Sequence, residues 1–300
     1  MNTDFNSTDD NSAFLTEDGK EATIDLGSLF SNVFSNISPL YRSEASPTQI
    51  MTATRYGKRF ILKGLKKEFV DDPIFRLALA KEFEIGFSLE HPSIRRTLSL
   101  EKVEGLGDAI VLEYIDGSTL SSLIKEGKLT VEQGREICRD IAAGVNYLHG
   151  KQILHRDLKP SNILITHKGG GVKIIDFNLS DSDSFIILKN PAGSGKYIAP
   201  ELLTPNAKAT PESDIYSLGV MAREIAEVTS DPQLREAAIV CTDDDPGNRA
   251  EGLRMLKENR LPSPAVKAMD RILSSSRLTA VLITLCGVLA AFIAYHYATV

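Results

Sequence analysis

The run His155-Arg156-Asp157-Leu158-Lys159-Pro160-Ser161-Asn162, followed fourteen positions later by Asp176-Phe177, constrains this chain more than any other stretch. It gathers two carboxylates, an ammonium and an amide. Folded around one phosphoryl centre, these groups supply an anion to accept a nucleophile's proton, oxygen donors for Mg²⁺ and a cation for the moving charge. The apolar run Gly171-Val172-Lys173-Ile174-Ile175 reads as the strand that delivers Asp176. A lone His-Arg-Asp triplet would fit a charged surface loop equally well. Eight ordered residues with a spaced Asp-Phe do not.

The match is residue by residue, and the chain resembles eukaryotic-type (Hanks-type) serine/threonine protein kinases. The resemblance implies Asp157 as catalytic base and Lys159 beside the γ-phosphate of ATP. It implies Asn162 and Asp176 as Mg²⁺ ligands, with His155, Arg156 and Phe177 in structural or regulatory roles. Lys63, ending Phe60-Ile61-Leu62-Lys63, is similar to the lysine that ties down the α- and β-phosphates and pairs with a helix glutamate. Glu82 is the candidate partner, and Glu84 is the alternative. The two lie about 200° apart around a helix, so both cannot face Lys63.

Further segments carry the same resemblance. Leu112-Glu113-Tyr114-Ile115-Asp116-Gly117 resembles an interlobe hinge, with backbone groups around Glu113 and Ile115 meeting adenine and Leu112 closing the back of the pocket. Ala199-Pro200-Glu201 ends a segment of activation-loop length, and Gly193-Ser194 and Tyr197 fall where the family binds the acceptor residue. Asp214 would brace the catalytic loop, and Arg249 would be the buried partner of Glu201. Ser180, Ser182 and Ser184 are candidate phosphorylation sites, where added charge would pair with Arg156. Lys159, two residues after Asp157, matches the serine/threonine pattern.

Several positions depart from the family pattern. Where a glycine-rich loop is expected, the chain has Ser43, Ala45, Pro47 and Thr48. Glycines let backbone N–H groups approach phosphates closely, so their loss favours a rival reading, a kinase-shaped scaffold with weak or no catalysis. Asn178 replaces the glycine of Asp-Phe-Gly, a mild change because Asn tolerates positive φ. Gly86 sits one turn after Glu82, where a large apolar residue is usual. The interval from Asp214 to Arg249 is short and leaves substrate choice unreadable. A small-molecule kinase is a further alternative, disfavoured by Ala199-Pro200-Glu201 and the Asp214 helix.

Composition sets outer limits. A net charge of −6 argues against nucleic acid as a partner. Cys138, Cys241 and Cys286 form no C-x-x-C pair, which fits a reducing compartment without structural zinc. The first thirty residues hold seven acids and no apolar signal segment. The expected division is an acidic disordered arm over 1–38 and a kinase domain over 39–262. That domain has a β-rich N-lobe (39–112), a hinge (113–117) and a helical C-lobe (118–262), giving a bilobal α+β fold. A hairpin is expected around Tyr56-Gly57-Lys58. A helix is expected from Pro73 to Leu89, with Ile74, Leu77, Ala80, Phe83, Ile85 and Phe87 as its apolar set, and another from Thr130 to His149.

A linker over 263–277 would lead to a transmembrane helix over 278–300, which contains no Asp, Glu, Lys or Arg. Such a helix would extend ~34 Å, enough for a ~30 Å hydrocarbon core. Lys267, Arg271 and Arg277 precede it, which predicts a single-pass protein with its kinase domain on the cytoplasmic side and the lipid bilayer as a partner. Gly287 and Ala291 suggest a homodimer seam.

Overall fold

The computed structural model describes residues 11–15, 21–25, 33–41, 46–176, 195–204 and 206–258. Two short strands, β1 (Asn11–Leu15) and β2 (Glu21–Asp25), pair antiparallel with each other. The N-lobe sheet follows with β3 (Ser35–Tyr41), β4 (Thr48–Arg55) and β5 (Lys58–Leu65). Helix α1 (Pro73–Phe87) comes next, then β6 (Thr97–Val103) and β7 (Gly107–Glu113). All neighbours are antiparallel, in the order β3-β4-β5-β7-β6. The β4–β5 connection is Tyr56 and Gly57, both at positive φ (52° and 67°), as a tight hairpin turn matched to strand twist requires.

Alternation along β5 decides which side each residue serves. Leu62 packs with Ala53, Val103 and Val111 on one face, whereas Ile61 and Leu65 pack with Leu79 of α1 on the other. Lys63 shares the second face and is thereby aimed at α1. The helix itself is turned differently from its expected apolar set: Ile74, Leu77 and Phe87 are each 59% exposed, while Leu79 and Gly86 are buried. Apolar residues surround this helix, so periodicity alone does not identify its buried face.

The C-lobe contains a small sheet, β8 (Gly117–Thr119), β9 (Ile163–Thr166) and β10 (Val172–Ile174), ordered β10-β9-β8. Around it lie α2 (Leu120–Glu126), α3 (Val131–Gly150), α4 (Pro211–Thr229), α5 (Pro232–Cys241) and α6 (Arg249–Glu258). A reciprocal capping box starts α3: Gln133 N–H donates to Thr130 Oγ1 at 3.2 Å and Thr130 N–H to Gln133 Oε1 at 3.0 Å. Its stripe of Ile137, Ile141, Val145 and Leu148 meets Leu218, Met221 and Ile225 of α4 in one large core. Helix α4 is the spine of this lobe, and its buried position lets it hold loops on two sides.

The expected C-terminal transmembrane anchor is corrected. Among the described residues no helix is long and apolar enough to cross a membrane. The two longest, α3 and α4, each carry five charged side chains. Residues 278–300, with Gly287 and Ala291, lie outside the described residues, as does the 263–277 linker. The described residues form the bilobal α+β unit, with no membrane helix among them. The bilayer partner and the single-pass cytoplasmic topology drawn from that segment are withdrawn.

Candidate active site

Helix α1 begins at Asp72, whose Oδ1 accepts the Ile74 N–H at 2.8 Å, with Pro73 at the first helical position. Two and a half turns on, Glu82 meets the lysine that β5 aims at the helix. Lys63 Nζ lies 2.5 Å from Glu82 Oε1 and 3.1 Å from Asp176 Oδ1. Glu84 points to solvent, so the geometry selects Glu82. Burial alone would push the Lys63 pKa down, but the two carboxylates outweigh it and hold the ammonium above its ordinary value.

Gly86 explains how α1 comes so close. A Cβ built there would lie 2.5 Å from Thr97 Oγ1 on β6. Glycine weakens a helix by about 1 kcal/mol, yet here it permits the contact that keeps Glu82 over Lys63.

The β9–β10 hairpin assembles the second half of the site. Ile163 pairs with Ile174, and the Ile175 N–H donates to Asn162 O at 2.9 Å. Asn162 and Asp176 thus sit at neighbouring ends of one hairpin. Asn162 Nδ2 donates to Asp157 O at 2.8 Å and to Asp157 Oδ2 at 3.1 Å. Lys159 Nζ contacts both Asp157 oxygens, at 3.0 and 2.8 Å. Arg156 and Asp176 both adopt left-handed backbone (φ 64° and 63°), a strained setting that has to be held by surrounding bonds.

Asp214, near the start of α4, supplies part of that hold. It accepts the His155 N–H and the Arg156 N–H, each at 2.8 Å, and contacts His149 Nε2 at 3.0 Å. His155 is fully buried, and burial pushes its pKa down against the pull of Asp214, Asp157 and Asp176. Further along the same helix, Ser217 Oγ donates to Tyr197 O at 2.7 Å, and Tyr197 O–H reaches Glu224 at 3.0 Å. Lys196 Nζ also pairs with Glu224. One helix therefore anchors both the 155–157 loop and the 195–197 segment.

The hinge residues, Glu201 and Arg249 singled out in the sequence are also among the described residues. Leu112 is buried at the end of β7, and Glu113 and Ile115 are half-buried where the chain leaves the sheet. Glu113 Oε2 takes Lys173 Nζ at 3.1 Å and the Arg96 N–H at 3.1 Å. Arg249 is fully buried and forms a two-pronged pair with Glu201, at 2.7 and 3.0 Å, while its Nε donates to Asp243 O at 2.8 Å. Phe177, Asn178, Ser180, Ser182, Ser184 and Ser194 lie outside the described residues, as do Ser43 and Ala45.

The donor set suits Mg²⁺. The Asn162 amide nitrogen is spent on Asp157, so its carbonyl oxygen is the end left to ligate, and Asp176 adds a carboxylate. Magnesium takes one or two such protein oxygens and completes its octahedron with phosphate and water. Among the described residues no group of three or more His, Cys, Asp or Glu is placed to hold a metal.

Residues 46–245, 200 of the chain's 300, match the protein kinase domain model. The chain belongs to the protein kinase family. Kinase relatives include a probable serine/threonine-protein kinase of Streptomyces coelicolor, 32% identical over 184 residues, covering 58% of this chain and 27% of that protein. PknB of Mycobacterium leprae is 33% identical over 186 residues, covering 59% and 29%. A CBL-interacting serine/threonine-protein kinase of Arabidopsis thaliana is 32% identical over 225 residues, covering 70% and 50%. The kinase chain thus spans between about a quarter and a half of these relatives' lengths. Among solved structures, Rad53 in complex with AMP-PNP superposes with a TM-score of 0.57 at 24% identity, over 73% of this chain and 64% of that one. That likeness concerns the fold. ATP and Mg²⁺ dependence is a general property of the kinase family.

Three residues that brace the site escaped the sequence reading: His149, Ser217 and Glu224. They lie on helices whose apolar periodicity was legible but whose polar contacts cross between elements 20 to 65 residues apart.

Proposed function

We propose that this chain is a serine/threonine kinase that transfers the γ-phosphoryl group of Mg·ATP to a protein hydroxyl. The observation that carries the reading is the junction at Asp176. One carboxylate meets Lys63 from the N-lobe at 3.1 Å and stands on the hairpin whose other end presents Asn162, which in turn holds Asp157.

In this reading Asp157 orients the incoming hydroxyl and takes its proton. The acceptor oxygen forms a bond to the γ-phosphorus as the bond to the β–γ bridging oxygen breaks, and ADP leaves. Lys159, already against Asp157, balances charge on the transferring group. Lys63, held by Glu82, grips the α- and β-phosphates. Asn162 and Asp176 hold Mg²⁺, which neutralises phosphate charge when bound. Leu112, Glu113 and Ile115 line the adenine side. The segment around Tyr197, fixed to α4, presents the acceptor, and Ser180, Ser182 and Ser184 are proposed as regulatory phosphorylation sites whose added charge would pair with Arg156.

The test is phosphotransfer by the full chain from labelled ATP with Mg²⁺. The parent should label protein on serine or threonine, and Asp157→Ala should not. Equal labelling by both proteins would reject the assignment.

A scaffold reading has one specific observation in its favour: no glycine stands between Gly27 and Gly57, the interval holding the expected phosphate loop. Mg·ATP binding by the parent, without turnover, would favour that reading over the enzyme.

A further inference from the structure

The short 195–197 turn, bound to α4, carries a lysine that none of the motifs uses. Tyr197 is held twice: Ser217 Oγ donates to its carbonyl at 2.7 Å, and its own O–H lies 3.0 Å from each Glu224 carboxylate oxygen. Lys196, the residue before it, donates from Nζ to Glu224 Oε1 and stands 5.0 Å from the centre of the Tyr197 ring. The two charges are not equally placed. The Lys196 side chain is 61% exposed and that of Glu224 is 17% exposed. An approaching chain therefore meets the ammonium first, with the carboxylate beneath it.

Helix α4 also fixes how far this pair stands from the reacting centre. Asp214 holds the 155–157 loop, and Glu224 follows ten residues later on the same helix. Ten helical residues rise about 15 Å, roughly the length of four or five residues of extended chain. A peptide whose hydroxyl sits at Asp157 is long enough to bring a flanking side chain to the pair. Without Lys196, Glu224 would be a partly buried carboxylate kept in place by Tyr197, and a basic residue would be its charge partner. With Lys196 that partner is built in.

We propose that Lys196 is a substrate-specificity residue: it occupies Glu224 and turns the acceptor side toward protein substrates with an acidic residue near the serine or threonine. This rests on the kinase reading above and names a substrate class for that same site. The chain's net charge of −6 would by itself draw basic peptides, so a preference for acid is a local effect of the exposed ammonium. Lys196 acts on binding of the acceptor and does not touch the transferred phosphoryl group.

The experiment is phosphotransfer from labelled Mg·ATP, by the full chain, to serine and threonine peptides carrying Glu, Ala or Lys at each position within about five residues of the acceptor. At one or two positions the parent should use Glu peptides about threefold better than Ala peptides, and Lys peptides worse, the scale of an exposed ion pair. Lys196→Ala should reverse the order at those positions and favour Lys peptides. Lys196→Arg should rank the peptides as the parent does. Adding Glu224→Gln to Lys196→Ala should abolish the acquired preference for Lys. Each preference should be carried by the KM for peptide and should shrink in high salt.

A parent that favours Lys peptides, or that uses all three alike, overturns the proposal. So does a Lys196→Ala protein that loses activity equally on every peptide, since that marks a purely structural role. If Lys196→Ala fails to fold, Lys196→Gln is read by the same series. A parent that phosphorylates neither the peptides nor itself would sink the kinase reading and this assignment with it, whereas an unchanged ranking in the variants sinks this assignment alone.

Discussion

Asp214 Oδ1 accepts the backbone N–H of Arg156 at 2.8 Å, and so fixes a residue held at φ 64° immediately before Asp157. The bond turns the rigidity of α4 into the position of the candidate base. Asp214→Ala would leave the His155 and Arg156 N–H groups without their acceptor. The expected cost is ~2–4 kcal/mol of stability, measured by denaturant titration. Phosphotransfer should fall further than that loss explains, since the loop relaxes from its strained backbone. Asp214→Ala with parental turnover in the folded fraction would show that the loop holds itself.

Glu82 and Glu84 provide a test that composition cannot confound. Both are acids on α1, two residues apart, and only Glu82 touches Lys63. Glu82→Gln should lower kcat/KM by ~10- to 100-fold, the scale expected when a phosphate-positioning group moves by about 1 Å. Glu84→Gln should leave activity unchanged. Steady-state kinetics at saturating protein substrate would distinguish them, and equal effects would contradict the pairing.

Much of this was legible in the sequence, for a physical reason. Asp157, Lys159 and Asn162 are close in sequence and reach one another through a single short loop, so spacing alone places them together. Lys63 and Asp176 are 113 residues apart, and only the resemblance to a known family linked them before the fold did. The orientation of α1 was not legible, because Ile74, Leu77 and Phe87 extend its apolar surface around to solvent. Glu224 was hidden for a different reason. It is one charge among several on α4, and its partners Tyr197 and Lys196 belong to a distant segment.

Glu201 and Arg249 give the fold an acid-sensitive joint. Burial alone would raise the Glu201 pKa, but the Arg249 guanidinium overrides it and holds the carboxyl below its ordinary value. A depressed folded pKa means stability that is present above the unfolded value, about 4.3, and lost as pH falls through the folded one. Asp231, lowered chiefly by Arg135 against its own burial, acts in the same direction. Stability should therefore decline below about pH 4.5. Arg249→Leu should cost ~3–5 kcal/mol at neutral pH, because Glu201 loses its partner, and should flatten the acid slope. Melting temperatures from pH 3 to 7 would show both effects; an unchanged slope in the variant would assign the acid transition to other groups.

Tyr197 should be visible by absorbance. Burial first, and then the neighbouring Glu224 carboxylate, push its phenol up to about 12. The sequence holds eight tyrosines, so an alkaline difference spectrum should show one that resists ionisation until the fold itself gives way. Tyr197→Phe should remove that late-titrating component. If the parent's tyrosines all titrate near pH 10, their ordinary value, the Tyr197–Glu224 contact is absent in solution.

Gly86 sets two opposed effects against each other, and the sign of their sum tests the packing of α1 on β6. Alanine improves helix propensity by about 1 kcal/mol over glycine. A Cβ at this position would, however, lie 2.5 Å from Thr97 Oγ1 and 3.4 Å from Thr97 Cβ. Overpacking of this kind costs ~1–3 kcal/mol, so Gly86→Ala alone should be neutral to destabilising. It should also lower phosphotransfer, by displacing Glu82 from Lys63. Thr97→Ala removes the clashing hydroxyl and leaves a Cβ at tolerable distance. In that background Gly86→Ala should become stabilising, by up to about 1 kcal/mol, and should cost little activity. The double-mutant cycle therefore predicts a change of sign, which propensity alone cannot produce. Additive effects in both backgrounds would mean that α1 does not press on Thr97, and that the close approach of Glu82 to Lys63 is held by some other contact.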